Sequence, residues 1–308
     1  MRIALFDDWR VGMVDENGIV DITRFVDGWE PVWPYSWMLE FIAKFDKVRP
    51  DILAYCRGVT HKRPLDSIRL RPPVPSPSKI IAAPVNYRLH QEEMGGMAGV
   101  YPGASIKTIA HYGLFLKPPS SIIGPHDHIT LPFAHRRTDH EAEVGVIIGK
   151  TLKNVTESQA RDAIFGITGL LDLSVRGQED RPFRKGFDGF CPIGPWIMTR
   201  DEVTDFDDIR FELRVNGQRR QKGHTRDMIY GILRLVALAS YQTTLYPGDI
   251  IASGTPAGVG EIQPGDRLEL TIEKLGQLEV RVEPTYAEPP ANMGEWFDTF
   301  KVAQGAPG

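Results

Sequence analysis

Short apolar runs, separated by glycine, proline and charged residues, recur along most of the chain, as is typical of β-strands joined by turns. Residues 1–6 predict a first strand, and residues 11–23 predict a hairpin around Glu16, Asn17 and Gly18. Residues 37–56 have helical spacing, which Pro50 is expected to interrupt. The start of the chain therefore predicts a small β-rich unit.

A proline-rich stretch separates this unit from the rest of the chain. Residues 71–79 hold four prolines in nine residues, a composition that favours a stiff, extended connector. We expect a small N-terminal β-rich domain at residues 1–70, a linker at 71–79, a second domain at 80–285 and a peripheral tail at 286–308.

The second domain is predicted to be mostly β, with one substantial helix. Strand-like runs stand at residues 79–87, 113–117, 123–132 and 141–150. Residues 224–241 predict the clearest helix, whose apolar face holds Met228, Ile232, Leu235, Val236 and Ala239. Together these elements predict an α+β fold built around a mixed or a closed sheet.

Composition excludes several classes of protein. The 308 residues are 42% hydrophobic and 25% charged, which is ordinary for a globular protein. The net charge of −4 lacks the basic excess of a nucleic-acid-binding protein, and no apolar run is long enough for a membrane span. The first residues reach Asp7 and Asp8 before any apolar run, so no secretory signal is expected. Two cysteines make no disulfide framework, which favours the cytoplasm.

Three acidic residues lie beside apolar strand candidates. Glu141 and Glu143 are two apart and would share one face of a strand. An isolated Glu-x-Glu pair usually marks a solvated strand edge, but Asp172 is embedded in a second apolar strand, where a lone acid is costly. Three such carboxylates suit a hard divalent cation, namely Mg²⁺ or Mn²⁺, with Ca²⁺ also compatible.

Other candidates for chemistry are less specific. His90 and Glu93 are three apart and would share a helix face, where a carboxylate can orient a general base. Lys117 and Lys185 would usually be surface lysines. Thr255 lies in a glycine-rich turn that could cradle an anion but lacks the spacing of a nucleotide-binding P-loop.

Seven segments between about residue 80 and residue 273 give these candidates a common context: NYRLHQEE, FLKPPSSIIGP, HEAEVGVIIGK, LLDLSVR, KGFDGFCPIGPWI, LYPGDIIASGTPAGVG and PGDRLELTIE. Their sequence and order resemble the fumarylacetoacetate hydrolase family. The resemblance implies a catalytic domain of mixed β-roll or β-sandwich type, and a homodimer.

The resemblance also implies roles for individual residues. The metal carboxylates would be Glu141, Glu143 and Asp172. His90 with Glu93 would activate water on a segment that closes as a lid, and Lys185 would face the reacting centre. The candidate substrate-binding residues are Arg176, Lys117 and Thr255. Leu171 stands where many members have asparagine, and the stretch from 172 to 185 is short, so the identity of the substrate is the least determined feature.

The implied activity is hydrolysis of a carbon–carbon bond in an acylpyruvate, such as fumarylpyruvate, maleylpyruvate or a fumarylacetoacetate-like compound of aromatic catabolism. The products would be a carboxylic acid and pyruvate. Two alternatives stay open: a 2-oxo acid decarboxylase or 2-hydroxyhepta-2,4-diene-1,7-dioate isomerase of the same family, and a metal-binding protein without catalysis. No nucleic-acid or membrane partner is expected.

Overall fold

The computed structural model describes residues 1–96 and 105–286. Within these ranges the chain forms nineteen strands and six α-helices. The helices are α1 (Ser36–Gly58), α2 (Arg88–Gly95), α3 (Ile109–Tyr112), α4 (Glu157–Ala163), α5 (Arg181–Arg184) and α6 (Ile232–Gln242). The strands are β1 (Arg2–Phe6), β2 (Arg10–Asp15), β3 (Gly18–Asp21), β4 (Leu70–Arg71), β5 (Ile80–Ala82), β6 (Phe115–Lys117), β7 (Ile122–Ile123), β8 (His128–Ile129), β9 (Thr138–His140), β10 (Ala142–Ile148), β11 (Ile164–Leu171), β12 (Ser174–Val175), β13 (Cys191–Thr199), β14 (Arg210–Val215), β15 (Gln218–His224), β16 (Ile250–Ala252), β17 (Gly260–Glu261), β18 (Arg267–Ile272) and β19 (Gly276–Val282).

One large open sheet organises the molecule. Its main path runs β3-β2-β1-β13-β11-β10-β16-β5-β6, with β4 paired to β1 and β7 paired to β13. Smaller sheets have the orders β12-β9-β17 and β15-β14-β18-β19-β8. Most pairs are antiparallel, while β16 with β5, β13 with β7 and β19 with β8 are parallel. The predicted α+β class with a mixed sheet is confirmed, and the described strands form no closed barrel.

The centre of the large sheet is buried on both faces. Every residue of β10 and β11 is buried, which explains why both read as nearly continuous apolar runs. On one face, Ile147 and Phe165 pack in the same core as α1. On the other face, Val144 and Val146 pack in the core that includes α6. The two strands are therefore held rigidly between helical layers.

The N-terminal segment adds strands to this same sheet. Strand β1 pairs with β13 in the register Arg2↔Met198 and Ile3↔Ile197, and the Met1 amino group donates to Thr199 Oγ1 at 2.7 Å. In the proline-rich stretch, residues 72–74 are buried. The division at residues 71–79 stays a prediction. Of the predicted tail, residues 287–308 lie outside the described part of the chain.

Helix α1 differs from the prediction because it runs through Pro50 without interruption. Pro50 is exposed, whereas Phe45 before it and Ile52 and Cys56 after it are buried on the core side. Burial of one continuous apolar face thus outweighs the missing backbone hydrogen bond at Pro50.

Helix α6 is shorter than predicted, and Met228 lies outside it. The backbone before Gly231 pairs instead with residues 86–87: Met228 forms a bridge with Tyr87, and the Ile229 N–H donates to the Asn86 carbonyl at 2.8 Å. These tertiary hydrogen bonds replace the helical ones. The helix therefore begins later along the chain than the apolar periodicity predicts.

None of the helices in residues 1–96 and 105–286 combines the length and the apolar character needed to cross a bilayer.

The course of α1 through Pro50 leads to a stability prediction. Pro50→Ala restores a backbone donor in the helix, and should raise the free energy of unfolding by about 1–3 kcal/mol in urea titration. Lys47→Ala, at an exposed position of the same helix, restores no hydrogen bond and should change stability by less than about 0.5 kcal/mol. A Pro50→Ala protein no more stable than wild type would show that the helix does not pass through this position as described.

Candidate active site

The register of β10 and β11 brings three carboxylates together. Glu143 lies on β10 opposite Leu170, Glu141 directly precedes β10, and Asp172 directly follows β11. The Asp172 N–H also donates to the Glu141 carbonyl at 2.8 Å, which continues the ladder beyond the strand ends. One oxygen of each carboxylate lies within 4.8 Å of the others, and all three side chains are buried.

Two of the three carboxylates are ion-paired with buried cations. Lys185 Nζ lies 2.8 Å from Glu141 Oε2 and 2.7 Å from Asp172 Oδ2. Lys117 Nζ lies 2.6 Å from Asp172 Oδ1, and Arg176 Nη2 lies 3.0 Å from Glu141 Oε1. Charge-assisted contacts of this length stabilise the ionised carboxylates.

Glu143 has a different environment, in which its Oε2 accepts a hydrogen bond from the Gly254 N–H at 2.8 Å. Burial raises the pKa of Glu143, and the nearby Asp172 and Glu141 charges raise it further, to well above its usual range. Burial also acts on Glu141, but Lys185 and Arg176 outweigh it and lower that pKa to about 2. A cation bound beside Glu143 would supply the positive charge that its buried carboxylate lacks.

The donor set fits a hard divalent cation. Three converging carboxylate oxygens are the ligands that Mg²⁺, Mn²⁺ and Ca²⁺ prefer. The ionised form of Glu143 is poorly compensated by the protein, and a bound divalent cation would supply the missing positive charge.

A cavity of about 170 Å³ opens beside the carboxylates. Seven of the nine predicted site residues line it, and the two that do not are Glu93 and Lys117. Its remaining walls include the aromatic rings of Tyr112 and Phe115, the side chain of Met94 and the guanidinium of Arg181. The predicted site residues therefore gather around one small cavity.

His90 and Glu93 form a hydrogen-bonded pair on α2. His90 Nδ1 lies 3.1 Å from Glu93 Oε2, and His90 is 4% exposed. Glu93 Oε1 accepts from the Gly258 N–H at 2.9 Å, which fastens the helix to the loop that carries Thr255. With Nδ1 engaged, Nε2 is the ring nitrogen left for the cavity. Residues 97–104, which belong to the predicted lid, lie outside the described residues.

Lys117 lies behind Asp172 and does not line the cavity. Its Nζ is fully buried and donates to Asp172 Oδ1 at 2.6 Å, to the Lys185 carbonyl at 2.5 Å and to the Phe190 carbonyl at 3.2 Å. All three N–H groups of the ammonium are thereby used by the protein. Direct contact between Lys117 and substrate has no geometric support, and Lys117 instead holds Asp172 in place.

Several residues of the site were not found from the sequence. Asp139, fully buried, accepts from Arg176 Nε at 2.7 Å and thereby orients that side chain. Gln221 on β15 donates to Thr255 Oγ1 at 2.8 Å. The alternation of charges before β10 could have indicated Asp139. Gln221 carries no such signal, because it lies in a strand of polar residues.

Comparison with known proteins places this arrangement in a family. Residues 79–283 match the family described as fumarylacetoacetate (FAA) hydrolase C-terminal. The chain belongs to this family. The predicted family is thus confirmed over the whole of the segment that carries the site.

Individual relatives extend the similarity to nearly the full chain. The maleylpyruvate hydrolase of Aquipseudomonas alcaligenes is 38% identical over 288 residues, covering 92% of this chain and 99% of the relative. The crystal structure of maleylpyruvate hydrolase from Sphingobium sp. SYK-6 with manganese(II) and pyruvate is 42% identical, with a TM-score of 0.81 and coverage of 92% and 99%. A probable 2-hydroxyhepta-2,4-diene-1,7-dioate isomerase from Mycobacterium abscessus is 30% identical, with a TM-score of 0.73 and coverage of 94% and 99%.

The contrast between Glu143 and Glu141 leads to a stability prediction for the metal-free protein. Glu143→Gln removes a buried carboxyl group whose ionised form is poorly compensated, and should raise the free energy of unfolding in EDTA at pH 8 by about 1 kcal/mol or more. Glu141→Gln removes one of the two carboxylate partners of Lys185 and of Arg176, and should lower it by about 3 kcal/mol. Both variants should lose Mn²⁺ affinity, measured by calorimetric titration. A Glu143→Gln protein that is less stable than wild type at pH 8 would contradict this assignment.

The raised pKa of Glu143 also predicts how pH affects the site. The folded metal-free protein retains a proton that the unfolded chain releases above a pKa of 4.5, so this group makes stability fall as pH rises through its raised value. Cation binding must displace that proton, so Mn²⁺ affinity should increase with pH. Calorimetry in two buffers of different ionisation enthalpy measures the released proton. Glu143→Asp should retain this release, whereas a wild-type protein that releases none would refute it.

Proposed function

We propose that this protein is a divalent-metal-dependent hydrolase that cleaves the carbon–carbon bond of an acylpyruvate to give a carboxylic acid and pyruvate. The observation that carries the proposal is that His90, which is hydrogen-bonded to Glu93, lines the same cavity as the three carboxylates. The two maleylpyruvate hydrolases support it, since one of them was crystallised with manganese and pyruvate.

The metal would be held by Glu141, Glu143 and Asp172, and Mg²⁺ or Mn²⁺ suits these ligands. When bound, the ion would polarise the carboxylate and the 2-oxo carbonyl of the substrate. Because Lys117, Lys185 and Arg176 already offset much of the negative charge, the loaded site would be positive overall. A positive cavity favours an anionic 2-oxo acid.

His90 supplies the base for the hydrolytic step. Glu93 holds Nδ1, so Nε2 can accept a proton from water, and the resulting hydroxide adds to the acyl carbonyl. Lys185 remains charged, because Asp172 and Glu141 outweigh the effect of burial and raise its pKa. It can therefore neutralise the developing oxyanion. When the carbon–carbon bond breaks, the electron pair stays on the methylene carbon of the pyruvate half, and His90 can return the proton there.

The residues that line the cavity support a proposal for the acyl group. The Arg181 guanidinium lies 4.2 Å from the centroid of the Tyr112 ring and lines the cavity on α5. A guanidinium held over an aromatic ring can present its N–H groups to a carboxylate. We therefore include in the proposal an acyl group ending in a second carboxylate, as in maleylpyruvate. A homodimer and a cytoplasmic location, both predicted from sequence, remain part of the same proposal.

His90 separates hydrolysis from decarboxylation and isomerisation, which need no attacking water. His90→Ala should lower kcat for acylpyruvate cleavage by about 10²- to 10⁴-fold, with Mn²⁺ and oxalate affinity nearly unchanged. Mass spectrometry of the products should find pyruvate and the matching carboxylic acid with the wild-type protein.

His61→Ala, at an exposed position, serves as the control and should retain full activity. Release of CO₂, or isomerisation without cleavage, by the wild-type protein would replace hydrolysis with one of the alternative reactions. Near-native cleavage by His90→Ala would remove His90 as the base.

Arg181 should determine selectivity for the distal carboxylate. Arg181→Met should lower kcat/KM for maleylpyruvate about 10- to 100-fold more than for acetylpyruvate, which ends in a methyl group. Arg24→Met is a matched control, since Arg24 stacks on Tyr55 at 5.2 Å and is absent from the cavity lining. Equal losses on both substrates would show that Arg181 does not recognise the acyl end.

A further inference from the structure

One buried amide side chain connects the cavity wall to the peptide between two of the carboxylates. Gln221 is 1% exposed on β15, a strand whose neighbouring residues Arg220 and Lys222 are exposed. Its side chain crosses from the five-stranded sheet to Ala142, the residue between Glu141 and Glu143. Its other end reaches the loop of Thr255.

The orientation of this amide is fixed by backbone groups at both ends. The Ala142 N–H can only donate, and it lies 2.9 Å from Oε1. The Pro256 carbonyl can only accept, and it lies 2.9 Å from Nε2. If Oε1 and Nε2 were exchanged, the amide nitrogen would face the Ala142 N–H and the amide oxygen would face the Pro256 carbonyl. Neither contact would then be a hydrogen bond. Oε1 therefore faces Ala142 and His140 Nδ1, and Nε2 faces Pro256 and Thr255.

This orientation determines the role of the Thr255 hydroxyl. Nε2 uses one N–H for the Pro256 carbonyl and its other N–H for Thr255 Oγ1, at 2.8 Å. Because Oγ1 accepts from Gln221, the Thr255 proton cannot point back to the amide. Thr255 lines the cavity, so its O–H is directed to donate on the cavity side.

We infer that Gln221 is a positioning residue, which makes Thr255 a hydrogen-bond donor to a carboxylate or carbonyl oxygen of the bound 2-oxo acid. The inference rests on the proposed function for the identity of the ligand. It explains why a fully hydrogen-bonded amide is buried in the middle of a strand whose adjacent side chains face solvent. An acidic side chain at the same position would reverse the polarity, since it would accept the Thr255 proton and withdraw it from the ligand.

A double-mutant cycle tests this role with oxalate, a mimic of a 2-oxo acid, as the probe. Oxalate affinity of the Mn²⁺-loaded protein is measured calorimetrically for wild type, Gln221→Glu, Thr255→Val and the double variant. Each single change should weaken oxalate binding about 10- to 100-fold, because a hydrogen bond to a charged ligand is lost. In the Thr255→Val background, Gln221→Glu should have little further effect, because the hydroxyl through which it acts is gone. Mn²⁺ affinity should change by less than about threefold in all variants.

Gln218→Glu is the matched control, since it places the same charge at an exposed position of the same strand and should leave oxalate affinity unchanged. If Gln221→Glu fails to fold, Gln221→Met completes the cycle, because methionine neither donates to Thr255 nor accepts from it. Additive effects of the two substitutions would overturn the role of Gln221 while leaving the proposed function intact. A wild-type protein that binds Mn²⁺ but not oxalate would instead contradict the proposed function itself.

Discussion

The structure of the site depends on the burial of three carboxylates around one point. Such a cluster is stable only if positive charge is supplied, and the protein supplies part of it through Lys117, Lys185 and Arg176. The compensation favours Glu141 and Asp172 and leaves Glu143 poorly balanced. The negative charge that the protein leaves uncompensated attracts a divalent ion. Once that ion is bound, the two lysines and the arginine make the net charge around the cavity positive, which favours an anionic substrate.

The central sheet provides the rigidity that this cluster needs. Strands β10 and β11 are packed on both faces, so a change of register would require the side chains of both cores to repack. The water-activating pair lies instead on α2, at the rim, and is fastened to the Thr255 loop through the Gly258 N–H. The metal ligands are thus on the most constrained strands, and the proposed base is on an element of eight residues with few core contacts.

Much of the fold class and part of the site could be predicted from local pattern. The hairpin at the start and the strand before Gly149 follow from periodicity within a few residues. The errors have a common origin in tertiary packing. Pro50 stays within α1 because the core buries residues on both sides of it, and Met228 leaves α6 because its backbone pairs with Tyr87.

The sequence alone determined that Glu141 and Glu143 would lie near one another, since two-residue spacing is a local property that specifies a strand face. The family resemblance implied that Asp172 joins them, and the pairing of β10 with β11 brings it there. It also identified the family, because ordered motifs persist over two hundred residues. Only the tertiary structure decided which lysine faces the cavity and which lies behind Asp172, and that Gln221 reaches Thr255. Those contacts join residues 34 and 55 positions apart, and they depend on the reach and direction of single side chains. Periodicity records which face a residue occupies, but not which partner it meets there.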